Sequence, residues 1–151
     1  MSLWLFLHLL GVAAWMGGGF SATALSFASR AEARPALATV ARLQWAIVRT
    51  LVFPGSLLTV VSGLFLTFRL MNGLATGNGW LVAMQVLGFV GALLALTVLV
   101  PTAARLTRLD PMGEHAAFFD RLRMRQRIAG SVSGVLGLVA LLASAIYRYG
   151  G

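Results

Sequence analysis

Histidine has the widest chemical range of any side chain in this sequence, and the chain has two, His8 and His115. An imidazole can ligate a metal or a haem iron, or relay a proton. His8 interrupts a long apolar stretch, and an ionisable group inside a membrane helix is by default a functional candidate. His115 lies in an Arg-rich segment, so we expect most of a bilayer's thickness to separate the two rings.

His8 belongs to a helical stripe that mixes large aromatic and small residues. Such a face suits close contact with a neighbouring helix, or contact with the edge of a planar ring. In a haem b or other tetrapyrrole site, Nε2 of His8 would be the axial ligand and the small residues would make room for the macrocycle. The other members of the stripe are Trp4, Gly11, Trp15, Gly18 and Ala22.

Two interpretations of His8 therefore stay open. In the first, the ring donates a hydrogen bond to a neighbouring helix. In the second, it ligates haem or a pigment or relays a proton, and the remaining axial position is filled by a methionine, by water or by a group from another subunit. The methionines considered are Met16, Met71 and Met84.

Other reactive constellations are missing from the sequence. There is no cysteine, which excludes thiolate nucleophiles and Cys-ligated metals. The acidic residues Asp110, Glu114 and Asp120 share one segment with several arginines, so we expect ion pairs there and no metal site or catalytic pair. No P-loop, nucleophile elbow or dinucleotide fingerprint is present. The sequence favours a protein without a catalytic site of its own.

Composition places the chain in a membrane. Of its 151 residues, 59% are hydrophobic and 11% are charged, and the mean hydropathy is +0.87, outside the range of ordinary soluble domains. A helix needs about 20 apolar residues to cross a bilayer, and four such stretches occur. We predict a single all-α domain, 1–151, built as a four-helix bundle with spans near 3–28, 48–71, 80–104 and 128–147.

The arginines predict the orientation. The net charge of +8 could indicate nucleic acid, but all basic residues except Arg69 and Arg148 lie between spans one and two or between spans three and four. Under the positive-inside rule, both of these segments face the cytoplasm. We therefore expect a multi-pass protein of the bacterial inner membrane, with lipid and other membrane subunits as partners, no nucleic acid, and both termini periplasmic.

The segments between the spans have patterns of their own. Apolar residues recur at helical spacing through 30–47, which indicates an amphipathic helix at the membrane interface that continues into span two. In the segment 107–127, Phe118, Phe119 and Leu122 either dip into the interface or belong to a polar connector. The glycine-rich run 72–79 predicts a turn, after which Trp80 anchors the third helix.

Glycines at helical spacing indicate close helix packing. Gly130, Gly134 and Gly137 remove bulk from one side of the fourth span, and Gly130-xxx-Gly134 is a small-xxx-small contact motif. They pack either inside the bundle or at the seam of a dimer.

The stretch from Leu7 to Gly18, with its His-x-x-Gly-x-x-x-Trp spacing, resembles a bacterial superfamily of four-helix membrane proteins. That superfamily comprises the membrane domain of CopD, the HemJ-type protoporphyrinogen oxidases and uncharacterised predicted integral membrane proteins. The resemblance extends through Ser62-Gly63, Trp80-Leu81, Pro101, Arg105-Leu106 and the arginines from Arg123 to Arg127.

The resemblance implies two functions. A HemJ-like oxidoreductase would bind haem at His8, and a CopD-like protein would handle copper. This chain has no lysine, whereas the HemJ group uses one in its third span, and its resemblance to the uncharacterised branch is closest. We therefore favour a non-catalytic accessory subunit of a larger membrane complex, respiratory or photosynthetic, and keep the haem-linked or metal-handling protein as the alternative.

Overall fold

The computed structural model of the chain describes residues 3–70 and 79–149, with side chains for 3–69 and 79–146. Every regular element in these ranges is helical. The predicted turn at 72–79 lies outside the described residues except for Gly79, and so does Met71. The α-helices are α1 Leu3–Ala28, α2 Ala36–Ile47, α3 Phe53–Leu70, α4 Gly79–Leu94, α5 Val100–Leu106 and α6 Ala116–Tyr149.

These elements form four continuous rods, because α2 runs into α3 and α4 runs into α5 without a break. The rods Leu3–Ala28, Ala36–Arg69, Gly79–Leu106 and Ala116–Ile146 are each long and apolar enough to cross a membrane. The prediction of an all-α, four-span bundle is confirmed. The second, third and fourth rods extend past the predicted spans at the ends where the arginines lie, because the amphipathic segments are helical too.

The bundle consists of two hairpins. Helix α1 packs along α3, and α4 packs along α6, more extensively than any other pair. The two Arg-rich segments meet at one end of the bundle, where Arg34 forms an ion pair with Asp120 at 2.9 Å and donates to the Pro111 carbonyl. We call this the arginine end, and the opposite one the His8 end.

Each of the two central rods contains one turn of π-helix. These turns cover Val48–Val52 and Ala95–Leu99, and each ends two residues before a proline, Pro54 or Pro101. Proline lacks an N–H and its ring collides with the carbonyl four residues earlier in an α-helix. The wider π turn accommodates this carbonyl and keeps the rod continuous.

A threonine stands at the same place in both π turns. Thr50 and Thr97 each precede their proline by four residues, so each carries the carbonyl that the proline ring approaches. Their hydroxyls donate to the carbonyls of Ala46 and Leu93, four residues back. In a bilayer, where water does not satisfy polar groups, these bonds pair each hydroxyl within its own helix.

The centre of the bundle is built on these two turns. Val48, Val52 and Ala95 are fully buried and pack in one cluster with Leu99 and Trp15. Ala92, Ala103 and Ala129 complete the cluster. A core of mostly small and β-branched side chains brings helix axes close, as is typical where dispersion contacts drive helix association in membranes.

A second cluster closes the arginine end. Phe119 and Leu122 pack with Leu37, Ala41 and Leu106 and are nearly inaccessible, whereas Phe118 is exposed. The hypothesis that Phe119 and Leu122 dip into the membrane interface is therefore wrong, because α6 begins at Ala116 and turns these side chains toward α2 and α5. The amphipathic helix α2 buries its apolar face in the same cluster.

The outer surface of the rods is apolar. Large aliphatic and aromatic side chains are exposed along every rod. In the most apolar window of each rod, only 22% to 33% of the residues are buried. A soluble protein does not expose apolar surface on this scale. The bundle is built to be surrounded by lipid.

Glycine sets the distance between α1 and α3. A Cβ on Gly55 would lie 2.5 Å from the backbone nitrogen of Trp15, and one on Gly11 would lie 2.8 Å from that of Thr59. Backbone cannot move as a flexible side chain can. The two helices therefore touch main chain to main chain, and glycine is required at both positions.

We expect Gly55→Ala to destabilise the protein by roughly 1 to 3 kcal/mol, because the added methyl forces α3 away from α1. Gly134→Ala is the matched control: a Cβ there meets nothing within 4 Å, so helix propensity alone acts and raises stability by up to about 1 kcal/mol. Thermal melts in detergent measure both. Equal melting temperatures for the two variants would contradict the contact.

Candidate functional site

His8 lies in the second turn of α1 and points toward α3. Its Nδ1 lies 3.0 Å from the backbone oxygen of Thr59. A carbonyl only accepts, so Nδ1 carries the proton and donates it, and Nε2 is left with its lone pair. This is the arrangement found for most metal-ligating histidines, whose second nitrogen donates to a carbonyl or carboxylate.

The surroundings of the ring hold it in place. Oγ of Ser62 lies 3.2 Å from Nδ1, while the Ser62 hydroxyl donates to the Leu58 carbonyl. A Cβ at Gly63 would lie 3.1 Å from Cε1 of His8, so a larger residue there would push the imidazole by a few tenths of an ångström from this orientation. Ser62 and Gly63 are therefore as much part of the site as the histidine.

Aromatic and polar side chains surround His8, Ser62 and Gly63. Trp4, one turn before His8, stacks on Phe65 with the ring centroids 3.9 Å apart. The Arg69 guanidinium lies over the Phe65 ring, 5.7 Å from its centroid. On α3, Thr67 accepts a hydrogen bond from Gln85 of α4. The His8 end thus has a small polar patch inside an aromatic rim.

The rest of the predicted stripe is used for helix contact. Gly11 lies against Gly55 and Thr59, Gly18 against Leu51 and Val52, and Trp15 is 4% exposed. Gly11 and Gly18 face the second rod, and the Trp15 ring reaches Gly91 of α4, so no space for a planar ring separates the helices there. A macrocycle at His8 would lie along the outer side of the bundle, where the ring is partly exposed. The role of His8 as a ligand stays a prediction.

Of the predicted second ligands, Met16 and His115 lie away from His8, and Met84 is half-buried on α4. Met16 is buried with its sulfur against Gly137 of α6, and Met71 lies outside the described residues. His115 is exposed just before α6, at the arginine end, and α1 alone rises roughly 30 Å between His8 and Ala28. The structure separates the two histidines as the sequence predicts.

The acidic segment is used for structure. Asp120 pairs with Arg34, and Asp110 accepts from the backbone N–H of Met112. Among the residues described, no three His, Cys, Asp or Glu side chains come close enough to hold a metal ion. Two of the three carboxylates thus stabilise the loop before α6.

Three glycines of α6 have three different environments. A Cβ at Gly137 would collide with the Met16 sulfur, and one at Gly130 would make ordinary contacts with Leu99 and Thr23. Gly134 meets nothing within 4 Å. Gly130 and Gly137 therefore pack inside the bundle, whereas Gly134 faces outward.

A second polar region, not predicted from the sequence, lies at the arginine end. Gln44 of α2 donates to the Ala22 carbonyl and to Ser26, and Arg127 donates to the carbonyl of Ser26. Gln126 is buried beside them. The signal was the spacing of Leu122, Gln126, Ala129 and Ser133, which places an amide on the buried face of α6.

Comparison with known proteins gives one match. The sequence model of a family described as "Predicted integral membrane protein (DUF2269)" covers residues 2–147. Comparisons with curated proteins and with solved structures gave no match. The match supports the resemblance to predicted integral membrane proteins, whereas kinship with the CopD and HemJ groups stays a prediction.

We expect nitrogen-15 spectra of the protein in detergent to show His8 protonated at Nδ1 and unprotonated at Nε2, because the Thr59 carbonyl requires a donor. Exposed His115 is the internal control and should exchange between tautomers. A His8 signal with the proton fixed on Nε2 would contradict the observed geometry.

Proposed function

This chain belongs to the DUF2269 family of predicted integral membrane proteins, and we propose that it is a non-catalytic structural subunit of a larger membrane complex in the bacterial inner membrane. Its outer helix faces would pack against the transmembrane helices of partner subunits. The observation that carries the proposal is the placement of glycine on surfaces where the chain itself does not require it.

Glycine in a helix has a cost, which internal contacts explain at some positions and not at others. A Gly destabilises a helix interior by about 1 kcal/mol relative to Ala. Gly11, Gly18 and Gly55 admit a neighbouring helix, whereas Gly17 and Gly134 have open space where a Cβ would be. An approaching partner helix gives these outward glycines a purpose.

The outward face of α1 has the spacing of a helix contact. Ala13, Gly17 and Ser21 follow one another at intervals of four residues and are all exposed. The Ser21 hydroxyl is paired with the Gly17 carbonyl, so the face is smooth and apolar. Small residues at this interval let a second helix approach closely.

The polar side chains of the spans support a structural role. The hydroxyls of Thr50, Thr59, Thr67 and Thr97 each donate to a carbonyl four residues back in their own helix. Each of these hydroxyls gives its proton to its own helix, which leaves only its lone pairs for another partner.

We expect Gly17→Leu to reduce co-purification of partner membrane proteins after mild detergent extraction by about tenfold, because the side chain fills the space a partner helix would occupy. The melting temperature of the isolated protein should not fall and should rise slightly through helix propensity, since no described residue lies within 4 Å of a Cβ at this position. Val135→Phe, which adds bulk to an exposed position already carrying a side chain, is the control.

A lone, monodisperse particle of 16.0 kDa chains in the mildest detergent would count heavily against a subunit role. So would retention of the same partners by wild type and Gly17→Leu.

A second candidate function rests on His8. Its Nδ1–H is held by the Thr59 carbonyl, and no hydrogen bond among the described residues uses Nε2. A HemJ-like or CopD-like protein would use that nitrogen to ligate a tetrapyrrole or a metal, with the opposite ligand from water or another subunit.

For this candidate we expect protein purified from its native membrane to show a Soret band that disappears in His8→Ala and remains in His115→Ala. The reason is that His8 presents Nε2 while His115 lies at the other end of the bundle. A colourless, metal-free wild-type protein would remove this candidate and leave the subunit proposal intact.

A further inference from the structure

A groove of about 340 Å³ lies between α1 and α6 near the arginine end. This volume is in the range of pockets that hold small organic ligands. Phe27 and Ile128 at its edge are more than half exposed, and Leu99 and Val132 add apolar wall. The groove thus opens sideways onto the surface that lipid covers.

The groove contains a buried amide that has no hydrogen-bond partner among the described residues. Gln126 is 4% exposed, and within the described ranges neither its Nε2 nor its Oε1 has a hydrogen-bond partner. Buried amides are normally paired, and leaving one unpaired costs free energy. Gln44 and Gln85 are bonded to neighbouring groups, so Gln126 differs from the other glutamines inside the bundle.

The charges at the groove are positive. Arg127 lines it with a buried Nε that also lacks a partner in the described structure. Arg30 is exposed beside it, with its guanidinium 4.3 Å from the centre of the Phe27 ring. Asp120 is the acidic residue nearest to Arg127 in the sequence, and its carboxylate is bound to Arg34. No carboxylate is among the described residues that line the groove, so an anion would complement its two arginines.

We propose that this groove binds an anionic phospholipid. Its phosphate lies against Arg30 and Arg127, and one acyl chain lies along Phe27, Ile128 and Val132. The Gln126 amide donates to an oxygen of the headgroup or of the ester. Arginine forks match phosphate oxygens, and basic pockets between transmembrane helices bind anionic headgroups. A zwitterionic lipid would instead bring an ammonium group toward two guanidinium groups.

The test measures thermal stability of the delipidated full chain in detergent, with three probes added separately. These are phosphatidylglycerol, phosphatidylcholine with the same acyl chains, and inorganic phosphate. We expect phosphatidylglycerol to raise the melting temperature and the other two to have little effect, because the groove requires both the anion and the chain.

Two variants of groove residues, each with a matched control variant, assign the effect to the groove. Gln126→Leu should melt no lower than wild type without lipid, because it removes an unpaired buried amide, yet bind phosphatidylglycerol about tenfold more weakly for want of a hydrogen bond. Gln85→Leu, at the His8 end, is the matched control and should keep full affinity. Arg30→Gln should also weaken binding, whereas Arg108→Gln, an exposed arginine of the same end, should not.

The proposal is overturned if phosphatidylcholine stabilises as well as phosphatidylglycerol, or if inorganic phosphate alone gives the full shift. It is also overturned if Gln126→Leu and Gln85→Leu respond equally to lipid, or if Arg30→Gln and Arg108→Gln lose the same amount. That last result would mean that lipid is attracted by the total charge of the arginine end.

Discussion

Direct contact between the backbones of α1 and α3 underlies the rest of this structure. Gly11 and Gly55 remove the side chains that would hold the helices apart, so the main chain of one lies against the main chain of the other. At this distance, His8 reaches the Thr59 carbonyl and fits beside Gly63. Most of the favourable energy is dispersion between close-packed surfaces, since a bilayer provides little hydrophobic force between helices.

A second constraint comes from the solvent. A backbone group without a partner is expensive in lipid, yet both central rods carry a proline. The π turns before Pro54 and Pro101 meet this constraint while keeping each rod continuous. They also lie at the centre of the core, where Val48 and Ala95 are fully buried. The position of each proline thus decides which side chains form the interior.

The large features of the fold could be predicted from the sequence because they depend on sums over many residues. Twenty apolar residues indicate a span whatever their order, and the clustering of arginines groups the two long loops. The helix α1 from Leu3 to Ala28 coincides with the first predicted span. The stripe containing His8 and Trp15 also faces a neighbouring helix, as its spacing indicates.

The remaining features depend on which helices become neighbours, and a single sequence does not state this. Phe119 has the same local pattern whether it meets lipid or Leu106, and only the position of α2 and α5 decides. Gln126 resembles any polar residue near the end of a predicted span until the three-dimensional structure shows that its amide has no hydrogen-bond partner among the described residues.

The division into two hairpins has a consequence for biogenesis. The ribosome delivers α1, α2 and α3 before the other helices, so the glycine contact can form in the translocon while the rest of the chain is still being synthesised.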